Sequence, residues 1–406
     1  MPAAPPKLRF ASAISDAERA DEALSQVVGQ LGETLGADAD LAIVFVTPEY
    51  ADALSGVGDA LASGLGATTV VGGTVQGVVG VGRELEEGPA ISVLAGVLGD
   101  AAVRGFAYDP IDYPAVVDSP TLLLESTDIG SGDQTQRPGA LMMLADPFST
   151  PLAGLLPAVG AALPGVPMVG GMLSGGRKPR DNRLLLGDQV RHDGAVGLAF
   201  DHGLDIQTTI SQGCRPIGRP WVITKSKRHI VQELGGRKAL EVLRETLQTL
   251  GERDRELAQT AGLQVGRVID EYKGHFGRGD FLIRGVVGVD PEAGYLAIGD
   301  PQVRVGQTIQ FQVRDAITAS DDLSMMLDAQ RLHGEGDGAL LFTCNSRGTR
   351  LYDRKDADVS LIGDALGTVP LAGCFAAGEI GPVGGENHVH GHAAALMVFR
   401  AKEREE

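Results

Sequence analysis

The chain has 406 residues, of which 57 are glycine, with 43% apolar and 22% charged residues and a formal net charge of -18. That composition excludes a disordered or collagen-like chain. The acidic balance excludes general affinity for nucleic acid or anionic membrane, because both need a basic surface. The three cysteines, Cys214, Cys344 and Cys374, are widely spaced and form no C-x-x-C pair. They make no disulfide framework and fit a reducing, cytoplasmic compartment. The N-terminal MPAAPPKLRF has no apolar h-region, so no secretory signal is expected.

In chain order, a helix is expected over 16–35. Ser15 and Glu18 have capping-box spacing, Leu24, Val27, Val28, Leu31 and Leu35 recur at helical spacing, and Gly36 ends the run. A pattern then appears three times. Its first copy is an apolar strand LAIVFV (41–46), a helix over 50–64, VVGG (70–73), a glycine-rich loop and the strand AISVLAGV (90–97). The second is ALMMLAD (140–146), a helix over 151–163, MVGG (168–171) and AVGLAF (195–200). The third is ALLFTC (339–344), a helix near 358–366, LAGC (371–374) and AAALMVF (393–399). Each unit reads strand–helix–strand–loop–strand, with a parallel crossover between its first two strands and an antiparallel return. Segments 64–82, 165–176 and 367–391 hold 19 of the 57 glycines, so these glycine-rich loops belong to one repeated unit.

Residues 147–176 carry no charge, but Pro151, Pro157, Pro164 and Pro167 interrupt them. The apolar piece is shorter than the roughly 20 residues a spanning helix needs, so no membrane insertion is expected. Between the second and third copies, alternating strands (IQTTI, WVIT, HIVQEL, FLIRGVVGV, YLAIG, QTIQFQVRDA) flank a helix over 237–250 and read as an antiparallel meander. A helix over 320–332 follows. The expected fold class is α/β (α+β), with mixed sheets covered by helices and domains over 1–230 and 231–406.

Several segments together are recognisable. LAIVFVT, VVGGTVQGVVG, MVGGMLSGG, ELGGRKALEVL, GDFLIRGVVGVD, IQFQVRDA, ALLFTCNSRG and PLAGCFAAGEIGPVGGENHVHGHAAAL resemble the FIST proteins, named for F-box and intracellular signal transduction. The resemblance spans about residues 35–398. It implies a sensory module that binds a small ligand, with amino acids suggested, and a separate signalling protein as partner. It carries over no catalytic set, cofactor or metal.

Ligands of α/β sheets bind where strands end at their carboxyl side. In the third copy those ends gather Cys344, Asn345, Ser346 and Arg347, then Glu379, Asn387 and His390. Arg347 suits a carboxylate and Glu379 an ammonium, the two ends of an amino acid. The bland alternative is that Arg347 and Glu379 pair with each other and tie two loops. His388, His390 and His392 would share one face of a strand, which is a possible metal site. Cys344 with His390 and Asn345 would suit a hydrolase nucleophile, base and orienter. The other readings are a buried, inert Cys344 and a protein-interaction scaffold. VVGGTVQGVVGVG lacks the G-x-G-x-x-G fingerprint, so no dinucleotide cofactor is expected. Thr47, Glu49, Asp146, Thr74, Gln76 and Ser174 from the first two copies would form a second pocket or help enclose this one.

Overall fold

The computed structural model describes residues 7–110, 113–119, 121–127, 129, 137–260, 262–277 and 279–402. It forms two compact units: residues 1–210, 324–389 and 394–406, and residues 211–323 with 390–393.

The first unit contains the three copies. The first copy runs β1 (Arg9–Ser15), α1 (Ala20–Leu35), β2 (Leu41–Val46), α2 (Leu54–Leu65), β3 (Thr69–Thr74), β4 (Val78–Gly80), β5 (Arg83–Leu85) and β6 (Ile91–Val97). The second runs β7 (Val103–Tyr108), α3 (Tyr113–Asp118), α4 (Thr121–Thr127), β8 (Ala140–Ala145), α5 (Leu152–Ala162), β9 (Met168–Met172), β10 (Leu184–Leu186), β11 (Gln189–Arg191) and β12 (Ala195–Phe200). The third opens with β13 (Leu204–Gln212), and the chain then leaves for the second unit.

That unit has β14 (Cys214–Pro216), β15 (Trp221–Lys227), β16 (Ile230–Leu234), β17 (Arg237–Lys238), α6 (Ala239–Thr249), α7 (Glu252–Thr260), β18 (Leu263–Val268), β19 (Phe281–Asp290), β20 (Tyr295–Ile298) and β21 (Thr308–Arg314). Helix α8 (Ala316–Arg331) returns the chain to the third copy, which continues with β22 (Gly338–Cys344), α9 (Ala357–Leu366), β23 (Leu371–Ala376), β24 (Glu379–Val383), β25 (Glu386–His390) and β26 (Ala393–Ala401).

The repeat is borne out strand by strand. In each copy the first two apolar strands pair in parallel, β2 with β3, β8 with β9 and β22 with β23. The last strand returns antiparallel on the first, β6 on β2, β12 on β8 and β26 on β22. The short hairpin between them does not stay at home. Hairpin β4–β5 joins the third copy's sheet, β10–β11 the first copy's and β24–β25 the second copy's. The three sheets thus exchange hairpins cyclically, as subunits of a trimer would, but within one chain.

The ladders also fix which residues are equivalent. Gly72, Gly170 and Gly373 stand opposite Val44, Met143 and Leu341. A Cβ on these glycines would lie 2.2, 1.9 and 2.0 Å from the carbonyl oxygens of those partners. This close backbone approach, rather than a left-handed φ, is why each copy needs glycine there. Inner faces of the three sheets meet in one core, where Phe45, Leu144 and Phe342 are equivalents. Phe45 and Phe342 pack edge to face at 5.8 Å. Helices α1 and α2 cover the outer face of the first sheet, and α5 with α3 and α4 that of the second. The uncharged stretch supplies α5, an 11-residue helix with Pro157 inside it. No helix among the described residues is long and apolar enough to cross a membrane.

Three local expectations change. Helix α1 starts at Ala20 with Arg19 as an uncapped N-cap residue. Ser15 instead bonds Gln26 at 2.7 Å and accepts the Ala17 N–H, so the capping box does not form. The meander closes: β21 pairs with both β15 and β18, making a barrel of β21-β15-β16-β20-β19-β18. Helix α7 has no fully buried residue, and its two apolar residues, Leu257 and Ala258, are too few to set an apolar period that would reveal it.

Candidate functional site

The loops that follow β3, β9 and β23 interlock by the same bond three times. The Phe375 N–H donates to Gly77 O at 2.9 Å, Met172 N–H to Gly378 O at 2.8 Å and Thr74 N–H to Arg183 O at 3.0 Å. Ser174 ties all three loops together. Its hydroxyl donates to Phe375 O at 2.5 Å and accepts the Gln76 N–H at 2.8 Å. Gln76 and Ser174, expected to help enclose the site, join the three loops to one another.

The loops after β2, β8 and β22 diverge. Thr47, Asp146 and Cys344 are equivalent, each three residues past the glycine-crossed carbonyl. Asp146 is fully buried and spends its carboxylate on Ser149 Oγ, Phe148 N–H and Asn182 Nδ2. Those bonds hold the second copy's own loops. Cys344 is nearly buried, 5% exposed, and accepts from Ser346 Oγ at 3.1 Å. Arg347 follows in a turn closed by its N–H on Cys344 O at 2.8 Å.

Arg347 is fully buried. Its Nε and Nη2 grip Asp358 at 2.8 and 2.7 Å, and Nη2 also reaches Tyr352 Oη at 2.6 Å. Tyr352 and Thr343 hydroxyls complete Asp358 at 2.9 and 2.8 Å. Burial opposes both charges, but Asp358 holds the Arg347 guanidinium above its ordinary range and Arg347 holds the Asp358 carboxyl below its own. Burial raises the Tyr352 phenol, against the pull of Arg347. The fork that the sequence offered to a ligand carboxylate is thus occupied by the protein's own aspartate. Only Nη1 remains, buried and without a hydrogen-bond partner in the structure.

Glu84 reaches the same cluster from the exchanged hairpin. Its Oε1 accepts the Val359 N–H at 3.0 Å at the start of α9, while buried Oε2 has no partner. Burial, with the charge of Asp358 adding, pushes this carboxyl up to about 8. Two residues on, Glu86 accepts from Thr349 N–H and Oγ1, each at 2.8 Å. Above them, exposed Arg350 donates to Asn345 O at 2.6 Å, and with the Gln76 amide oxygen turned toward it also to Gln76, at 2.5 and 2.9 Å. Arg350 was not singled out by sequence reasoning.

The structure does not gather every residue expected here. Glu379 is fully buried opposite Gly171 on the second copy's sheet. Its neighbour Ile380 packs under the helices of that sheet, so Glu379 faces the central core. Thr343 and Asp358 lie on the α9 side of the third sheet, because Phe342 takes its central side. Arg347 and Glu379 therefore occupy opposite faces, and one small amino acid is not clamped between them. The positions equivalent to Glu379 are Val78 and Leu184, both fully buried in the central core. Burial, with the Glu379 charge adding, raises the Cys374 thiol.

Asn387 donates to Val166 O and accepts the Met168 N–H, each at 2.9 Å, at the start of β9 rather than its carboxyl end. Strand β25 stops at His390, which belongs to the second unit, and His392 has φ of 61°. Strand alternation is broken before the third histidine, so the one-face arrangement of His388, His390 and His392 does not form. Among the described residues no group of three or more His, Cys, Asp or Glu side chains is placed to hold a metal ion.

Comparison with known families decides the kinship. The FIST N domain matches residues 40–237 and the FIST C domain residues 239–382. The chain belongs to the FIST family. It is 38% identical over 403 residues to the uncharacterized protein Rv0628c of Mycobacterium tuberculosis, covering 97% of this chain and all of that one. It is 37% identical, over 97% of this chain and 99% of the relative, to the uncharacterized protein Mb0898c of Mycobacterium bovis. FIST domains are associated with sensing in signal transduction.

Proposed function

We propose that this FIST protein is a cytoplasmic sensor that binds a small charged metabolite at the loop end of the third copy. One observation carries the reading. Three copies are built alike, yet the third packs Arg347 and Asp358 beneath its loop, with Glu84 beside them. Arg347 Nη1 and Glu84 Oε2 are left without partners. Buried charge is costly, and a buried ion pair that leaves polar atoms unbonded at one loop end supports a place where function overrides packing. Asp146 in the second copy is the control: it is buried too, but its bonds are spent on structure.

The ligand in this reading is small and acidic, an amino acid or similar metabolite. Arg350 and the half-buried Asn345 and Ser346 would meet its acid group, with Gln76 and Ser174 on the rim. Arg347, its charge neutralised by Asp358, braces the loop from beneath rather than acting as a bidentate clamp. Glu379 is a buried carboxyl on the core side, and any part it takes is by charge from beneath the loops. Cys344 is a packed thiol beside Ser346. Output to a separate signalling protein completes the sensor reading.

A thermal-shift panel of amino acids and small dicarboxylic and keto acids tests it. A ligand at 100 times its Kd stabilises the folded state by about 2.7 kcal/mol. A stabilising acid whose effect disappears in Arg350→Ala supports the site. A panel with no shift at millimolar concentrations, or a shift that Arg350→Ala leaves intact, refutes it.

A further inference from the structure

We propose that Glu84 is a proton-operated strut of this site: as a neutral acid it lets hairpin β4–β5 lie against the start of α9, and as a carboxylate it loosens that seam and the Asp358–Arg347 pair behind it. That loosening alters ligand binding rests on the functional reading above. The protonation itself does not.

The geometry sets two kinds of attachment at the seam. The hairpin comes from the first copy but is paired to β23 of the third. On one side the Glu84 N–H donates to Asp356 Oδ1 at 2.6 Å, and Asp356 is the N-cap residue of α9. On the other, Glu84 Oε1 accepts the Val359 N–H one turn into the helix. Leu85 packs against the central core, so Glu84 points the opposite way, toward α9. Facing it are Asp356 and Asp358 of α9 and Tyr352 of the preceding turn, with Arg347 behind Asp358. Of its own hairpin, Arg83 pairs outward with Asp16, and Glu86 is committed to Thr349. The cations in reach are therefore taken, while the charges of Asp358 and, more weakly, Asp356 oppose a charge on Glu84.

An ionised Glu84 would be a second buried negative charge beside Asp358, whose single guanidinium is already engaged, with half-buried Asp356 adjacent. A proton on Oε2 removes that conflict and leaves Oε1 free to accept from Val359. This agrees with the raised carboxyl noted above.

The test uses the full chain without ligand. Wild type and Glu84→Gln, which keeps the acceptor and cannot ionise, are melted from pH 5 to pH 9.5. The expected result is a wild-type Tm that falls relative to Glu84→Gln as pH rises, the gap widening up to about pH 8 and constant above it. Iodoacetamide labelling of Cys344, read by peptide mass spectrometry, should accelerate over the same pH range in wild type more than in the variant. Parallel melting curves overturn the proposal, as does a Cys344 rate with the same pH dependence in both proteins. Should Glu84→Gln fail to fold, infrared spectra of wild type decide. A protonated-carboxyl band at pH 7 that titrates away near pH 8 supports the proposal, and no such band overturns it. A failed ligand panel with an intact proton effect would sink only the functional reading. Bound acid with no proton effect would sink only this one.

Discussion

Replacing Asp358 with asparagine keeps the size of the side chain and removes the charge against which Arg347 is buried. Asp358 accepts four bonds, from Arg347 Nε and Nη2, Tyr352 Oη and Thr343 Oγ1. The amide presents one oxygen and one NH2 to those four donors, so about half the bonds are lost and a cation is left unpaired at full burial. Removing one partner of a buried pair costs about 3–5 kcal/mol, a large fraction of the roughly 5–15 kcal/mol typical of a domain. The double variant Arg347→Met with Asp358→Leu removes both charges and should cost less than Asp358→Asn alone. Urea unfolding of the two single variants and the double variant gives the coupling directly. The pair also predicts an acid limb. Asp358 is held below its unfolded value, so its contribution is present above about pH 4 and lost as pH falls through the lower folded value. A cost for Asp358→Asn below about 1 kcal/mol, with the double variant no better, would refute the claim that this pair is a tightly held buried ion pair.

Gly170→Ala should abolish soluble expression, because its Cβ would meet Met143 O at 1.9 Å, whereas Gly29→Ala, with open space on the exposed side of α1, should stabilise by about 0.5–1 kcal/mol; soluble yield reads the first and chemical denaturation the second. Ser174→Ala removes the hydroxyl that joins the three loops and should cost about 1–3 kcal/mol, with hydrogen exchange rising at the Gln76 amide before the rest of the sheet. Glu379→Leu copies the Leu184 solution of the second copy, and equilibrium unfolding should find it at least as stable as wild type.

Much of this architecture is legible in the sequence. Runs such as 41–46, 140–145 and 339–344 are apolar on both faces because each strand lies between the shared core and a helix layer. Glycine pairs mark the crossing where a side chain would strike a carbonyl. The hairpin exchange was not legible, since strands of three residues such as Val78–Gly80 and Leu184–Leu186 carry no measurable period. The candidate site was half legible. Polar residues at the end of β22 drew attention to the loop that carries Arg347, but Asp358 reads as an ordinary acidic residue in the first turn of a helix. Nothing local reveals that it is buried against Arg347, 11 residues earlier. Glu84 was invisible for the same reason, because its environment is supplied by a segment more than 270 residues away. Histidine spacing suggested a shared strand face, and the left-handed backbone at His392 removes it.

The central claim is that the loop end of the third copy takes a small acidic ligand. A crystal structure grown with the most stabilising acid of the panel tests it most directly. Ligand density is expected against Asn345, Ser346 and Arg350, above an unchanged Arg347–Asp358 pair. Density elsewhere, or an empty loop end at saturating ligand, would contradict it.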